Sequence, residues 1–257
     1  MAAFFHKFVL KIASVASDRC AILRQTNKGK FIMAETSIDL SSLNLFDVLY
    51  TTRAMRRLKP DPVSDDLVIK ILKAGTRAAN GANLQTWHFI VIKDPAIKKA
   101  VQVWYKKAFD EFVSPRYADN PTPAGSSAEK YHRQHMAVEY LTDHFHEAPI
   151  WIVACLKHDN PLIPPDRKAG ASIYPAVQNM LLAARALGLG ASLTTRHLFF
   201  EEESEKALEL PPGMRSYAIL PIGYPMGNFG SVGRGDLREF VSLDRVGQSW
   251  DALDTPH

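Results

Sequence analysis

Arg53, Arg56 and Arg57 put three guanidinium groups within five residues. Such groups are planar, permanently charged and rich in donors, so they hold phosphate or carboxylate through bidentate, charge-assisted bonds. Taken alone, the cluster reads first as a solvated basic helix end. A second segment, AANGANLQTWHFIVI from Ala78 to Ile92, sets a Gly/Asn loop before a β-rich run. Backbone N–H groups and amide side chains in such a loop can address a polar heterocycle. Alone, it is an ordinary helix-to-strand turn.

The remaining candidates for chemistry are weaker. Gly188-Leu189-Gly190 lacks the third glycine of a dinucleotide turn and ends a helical pattern instead of opening one. Gly227 to Gly235 has four glycines but no Lys-Ser/Thr, so it is not a phosphate-binding P-loop. His132, His135, His144 and His146, with Glu139 and Glu147, match no fixed metal spacing and read as the polar face of an amphipathic helix. GxSxG is absent, and Cys20 and Cys155 lack a catalytic signature. No obvious nucleophile, metal set or acid/base pair is in view, and a redox cofactor can supply chemistry without one.

The elements that must position these residues follow from periodicity. Phe46 to Arg53 predicts a short helix capped by Asn44. Ser64, with Asp65 and Asp66, opens another, whose Leu67, Ile71, Ala74 and Ala78 form a core-facing stripe. Trp87 to Ile92 is a buried strand, and Asp94-Pro95 begins a helix with Ile97, Val101, Trp104 and Ala108 inward. Ser114 to Ser127 reads as a mobile loop, and the stretch to Tyr131 as a substrate-facing lid. Helical spacing resumes at Val138, Leu141 and Phe145. The strand Ile150 to Leu156, a helix from about Ile173 to Gly188, and a short strand over Ala191 to Thr195 follow. A helix over Glu201 to Leu210 and the strand Tyr217 to Gly223 complete the pattern. Strands separated by long helices give a layered α/β or α+β domain.

The chain has 257 residues, 46% hydrophobic and 23% charged, as expected for a globular protein. Its longest apolar run, Ala148 to Leu156, is far short of the roughly 20 residues of a membrane span. The net charge of +4 belongs to the start. Residues 1–32 carry six basic side chains and one acid, leaving 25 basic and 26 acidic groups elsewhere. A nucleic-acid partner therefore gets no support. Phe4, Phe8, Ile12 and Val15 share a helical face, as in a transit peptide; an extension upstream of a true start at Met33 is the plainer reading. The expected organisation is an N-terminal extension over 1–42 and a single domain over 43–257. The expected location is cytoplasmic, or mitochondrial if the extension is a transit peptide.

In this order and about 20 residues apart, the two segments resemble the opening of the FMN-dependent nitroreductase family, where an RRSxR-like motif precedes APSxxNxQPWxF and a strand. Arg53, Ala54 and Arg56 match the first motif; Asn80, Gly81, Asn83, Gln85 and Trp87 match the second. Pro175 to Thr195, Tyr217 to Pro225 and Arg234 are similar to later segments, so the resemblance covers about residues 44–245. Thr52, Ala54 and Thr86 depart from the usual Arg, Ser and Pro.

The resemblance implies an α+β fold, a three-layer α-β-α sandwich, forming a homodimer with FMN at the interface. It implies that Arg53, Arg56 and Arg234 meet the phosphate. Asn83 and Gln85 would address the ribityl chain or ring edge, with Ala54, Asn80 and Gly81 also among the cofactor-binding positions. Leu193, Thr194 and Thr195 would lie near the reactive N5, with a backbone N–H able to bond it. NADH or NADPH, or alternatively a deazaflavin, would give hydride, and a nitroaromatic, quinone or similar small molecule would accept it. Specialised chemistry of the same family, namely reductive dehalogenation or flavin cleavage, and a non-catalytic flavin-binding role are the alternatives. No catalytic side chain is implied.

Overall fold

The structure, a computed structural model, describes residues 23–25, 31–33, 43–158 and 167–254. The helical face from Phe4 to Val15 lies outside the described residues. The chain divides into two compact units, Met1–Leu43 and Asn44–His257. In the first, β1 (Leu23–Gln25) pairs antiparallel with β2 (Phe31–Met33). Among the described residues no helix is long and apolar enough to cross a membrane.

The second unit is built on a four-stranded antiparallel sheet of order β3-β4-β6-β5. Its strands are β3 (Trp87–Ile92), β4 (Ile150–Lys157), β5 (Gly190–Ala191) and β6 (Met214–Gly223). Trp87 pairs with Leu156 and Ile92 with Trp151, while Ile150 pairs with Ile222. Side chains alternate across a strand, so Ile150, Ile152, Ala154 and Leu156 enter one core and Trp151, Val153 and Cys155 the other. Helices α2 (Asp65–Gly75) and α6 (Arg167–Ala186) cover the first face. Helix α3 (Pro95–Ala108) covers the second, where Tyr105 stacks on Phe145 at 3.9 Å. The result is the expected three-layer α-β-α sandwich.

Local chemistry explains most element ends. Asn44 and Asp47 form a reciprocal capping box for α1 (Leu45–Thr51). Asp94 accepts from the Ala96 N–H at 2.7 Å and opens α3 with Pro95 in its first turn. Helix α6 stops where Gly188 takes φ +74°, which a side chain would resist.

Several expected boundaries move. The buried stripe of α2 is Val68, Ile71 and Gly75, with Leu67 and Ala74 only half-buried. Gly75 sets that face, since a Cβ there would come 2.8 Å from the Met180 side chain of α6. Trp104 is half-buried, and Lys98 and Tyr105 take the inner face of α3, Lys98 donating from Nζ to the Ala148 carbonyl at 2.8 Å. The expected loop Ser114 to Ser127 is half helix. A π turn (Phe109–Val113) runs into α4 (Ser114–Asp119), and only 120–127 is irregular before α5 (Ala128–Asp143). Pro115 lies in the first turn of α4, where its missing N–H does no harm, so its presence was no signal for a loop. Helix α6 starts six residues before Ile173 and carries Pro175 inside it. The expected strand at 191–195 shrinks to β5 plus an isolated bridge from Thr194 to Ile219.

A buried polar chain ties α7 (Glu201–Ala207) to β6. Ser216 Oγ donates to Glu205 Oε1 at 3.0 Å, so His197 Nε2, 3.1 Å away, must donate to Ser216. His197 is fully buried and its Nδ1 has no partner. Burial pushes its pKa down to about 3. The unfolded chain takes up that proton near pH 6.5 and the folded chain does not, so stability is complete above pH 6.5 and falls below it. Melts between pH 7 and pH 4 are expected to show a loss approaching about 1.4 kcal/mol per unit from this residue. His197→Gln, which donates without titrating, flattens that slope; equal slopes in the two proteins would remove His197 as the cause.

Candidate functional site

Helix α1 ends at Thr51, short of Arg53, and the chain from Arg53 to Leu58 runs extended along the sheet edge. Met55 N–H donates to the Ala191 carbonyl of β5 at 2.9 Å, Leu58 bridges to Pro225, and Met226 N–H donates to the Arg57 carbonyl. Along this course Met55 and Leu58 are buried and the three guanidiniums part company. Arg53 is exposed and lines a cavity of about 230 Å³. Arg56 turns inward beside Tyr105, Tyr117 and Arg196, where burial lowers its pKa. Arg57 lies 5.3 Å from the centre of the Tyr140 ring. No single phosphate can be clamped by all three.

The cavity is where the expected residues do meet. Arg53, Ala54, Leu193 and Arg234 all line it, with Thr52, Gln178, Arg185, Ser192 and Phe229. No carboxylate is among the lining side chains. The arm that carries Arg234 is pinned by Val232 N–H donating to the Tyr50 carbonyl at 3.0 Å. It is also pressed against Gly125, whose φ is +72° and where a Cβ would fall 2.2 Å from the Arg234 carbonyl oxygen. The irregular segment 120–127 therefore fixes the backbone of an arginine at the cavity.

Arg185 and Ser192 carry no signal in the two motifs. Arg185 is 4% exposed, donates from Nε to Thr51 Oγ1 at 2.9 Å, and lies 4.2 Å over the Phe229 ring, yet its Nη1 has no partner. Burial lowers its pKa, against the weaker influence of Asp47. Ser192 is 2% exposed and its Oγ is also unpartnered. A lone arginine inside the apolar run MLLAARALGL was the one sequence sign available.

The second motif does not line this cavity. Asn80 to Gln85 forms a 3₁₀ turn (Gly81–Asn83) whose Gly81 N–H donates to Ser172 Oγ of α6 at 3.2 Å. Ala82, Asn83 and Gln85 have φ of +50°, +53° and +51°, a conformation costly for residues with a Cβ. Asn80 holds the strained loop together by accepting from the Gln85 N–H at 2.9 Å. Asn83, Leu84 and Gln85 stand exposed, Leu84 by 71%.

The turn after β5 is divided. Leu193 is 40% exposed at the cavity, and Thr195 is exposed. Thr194 is buried, and its N–H donates to the Ile219 carbonyl while its hydroxyl donates to the Tyr105 hydroxyl at 3.1 Å. The Thr194 N–H is thus engaged with β6. Behind this turn Arg196 lies 4.4 Å over the Tyr105 ring and donates to Thr142 Oγ1 of α5. Tyr117 of α4 stacks on His135 of α5 at 4.3 Å. Among the described residues no group of His, Cys, Asp and Glu could hold a metal ion.

Known proteins resemble the chain along this whole unit. The model of the Nitroreductase family matches residues 49–224. A protein of Thermus thermophilus named NADH dehydrogenase is 44% identical over 192 residues, 67% of this chain and 82% of that one. Iodotyrosine deiodinase of Thermotoga neapolitana is 28% identical over 185 residues, 70% of this chain and 88% of its own. A solved structure of oxidised iodotyrosine deiodinase bound to FMN and 3-iodo-L-tyrosine aligns with a TM-score of 0.60 at 22% identity, covering 80% of this chain and all of that one. With a family match that spans the Arg53 segment, the strained loop and the sheet that separates them, the chain belongs to the nitroreductase family.

Proposed function

We propose that the protein is an FMN-dependent oxidoreductase that takes hydride from NADH or NADPH and passes it to a small oxidised acceptor. The observation that carries this reading is the carboxylate-free cavity where Arg53, Arg185 and Arg234 converge and two buried polar atoms lack partners. Buried charges and hydroxyls are ordinarily paired, so such a cavity suits a phosphate. FMN, when bound, would supply the redox chemistry between the nicotinamide donor and the acceptor.

The chain's own groups would do the rest. Arg53 and Arg234 would hold the phosphate from the α1 end and from the C-terminal arm. Leu193 and Phe229 would wall the site against water. Arg56 and Arg196 keep positive charge beside Tyr105 and Tyr117, where it favours negative charge developing nearby. The strained loop would meet the cofactor of a second copy, since its amides are exposed and away from this chain's cavity. A homodimer also fits the exposed apolar face of α1, where Leu45, Phe46 and Tyr50 are 62–66% exposed. The named iodotyrosine deiodinase relative favours a second reading within the same chemistry, reductive removal of halogen from an aromatic ring.

The purified protein is expected to show a flavin absorbance band that bleaches on anaerobic addition of NADPH or NADH, and to size as a dimer by light scattering. A band that bleaches with neither points to a deazaflavin donor or a flavin carrier. A colourless protein that cannot be reconstituted with FMN overturns the proposal. Replacing Arg53 and Arg234 together by Ala removes two charge-assisted contacts worth about 1.5–3 kcal/mol each. FMN affinity is then expected to fall by two orders of magnitude or more while the melting temperature of the flavin-free protein holds. Full FMN retention would show the phosphate to be elsewhere.

A further inference from the structure

We infer that Arg185, with Ser192 Oγ beside it, is the buried floor of a phosphate-monoester site, filling the place that the sequence motif gives to Arg56. The inference rests on the FMN reading above for the identity of the phosphate's owner.

Arg185 belongs to the last turn of α6 and is 4% exposed, a position where an arginine is expensive to keep. Structural arginines at such depth spend their donors on carbonyls or carboxylates. Arg185 has neither: its Nε donates to the Thr51 hydroxyl, and its guanidinium lies over the Phe229 ring. The nearest influential acid, Asp47, is engaged elsewhere, its carboxylate accepting from the Asn44 N–H in the α1 capping box. Nη1 is left buried and unpartnered on a residue that lines the cavity. Ser192, just past β5, also lines the cavity and has a buried, unpartnered Oγ.

A guanidinium donor and a hydroxyl, both dry, at a cavity with two further arginines and no acid, are complementary to an anion with several acceptor oxygens. A phosphate monoester has three. Arg56 does not line this cavity, and Arg185 restores the count of three guanidiniums around it. The Thr51 bond and the Phe229 stack hold the Arg185 fork in place, so little side-chain freedom is lost on binding.

The test compares FMN with riboflavin, which differs by the phosphate alone. The full-length protein, freed of bound flavin, is titrated with each by fluorescence quenching. Arg185→Met keeps an unbranched side chain beneath Phe229, and Ser192→Ala removes one hydroxyl. Arg185→Met is expected to weaken FMN binding 30-fold to 100-fold and leave riboflavin unchanged; Ser192→Ala weakens FMN about 5-fold. The flavin-free melting temperature of Arg185→Met should stay level or rise, since an unpaired buried charge is gone. Equal losses for both flavins, no loss for FMN, or wild-type protein that does not prefer FMN to riboflavin would overturn the inference. If the wild-type protein binds neither flavin, the functional reading fails separately, and inorganic phosphate decides the site. A rise in melting temperature with phosphate over chloride at equal ionic strength, absent in Arg185→Met, supports it; no rise overturns it.

Discussion

The constraint on which the rest of the structure depends is that β4 is apolar on both faces. Each residue from Ile150 to Leu156 is buried, alternating between the two cores. A strand with no polar side cannot sit at a surface, so helices must cover both sides and hydrogen-bonded strands must flank it. β3 and β6 satisfy its backbone, α2 with α6 and α3 satisfy its faces, and the three layers follow. The sheet can then end only away from β4, and on the β6 side it ends in a strand of two residues, Gly190–Ala191. That abrupt edge is the opening in which the site is built.

Because the edge is short, the extended segment after α1 completes it, through the Met55 bond to Ala191 and the Leu58 bridge to Pro225. Gly190 permits this approach, since a Cβ there would meet the Leu58 side chain at 2.8 Å. The same lacing distributes the arginines. Met55 and Leu58 are buried at the sheet end, while Arg53 stands exposed at the cavity and Arg56 lies toward Tyr105. The course of this segment thus separates three nearby cations, and one of them is left at the cavity.

What was legible in the sequence tracks how local its cause is. Strand β3 matches its predicted bounds, β4 runs one residue longer, and the Asn44 and Asp94 caps are in place, because alternation and capping need only a few neighbours. The face of α2 was misjudged by one position because Gly75 fits against Met180, 105 residues away. The resemblance places Arg53 and Arg56 at one phosphate together, and residues 53–58 show no local sign of the course that sets only Arg53 at the cavity. The two motif segments lie in different environments of one chain, and nothing in their spacing says so. Arg185 gave only a weak sign for a related reason: arginine inside a helix pattern is ordinary until the depth of its position is known.

Depth also gives the site its energetics. An unpaired guanidinium donor and an unpaired hydroxyl in the interior each work against folding, and the strained φ values at Ala82, Asn83 and Gln85 add to that burden. Arg185 and Ser192 stand among the residues that line the cavity, and the three strained φ values fall in the second motif segment. The rest of the unit carries them with two well-packed cores. Under the proposed function, ligand binding supplies the missing partners of Arg185 and Ser192. Stability then rises with the logarithm of ligand concentration over its dissociation constant. A fold arranged in this way is least stable when empty, and the residues that make it so are the ones that would recognise its ligand.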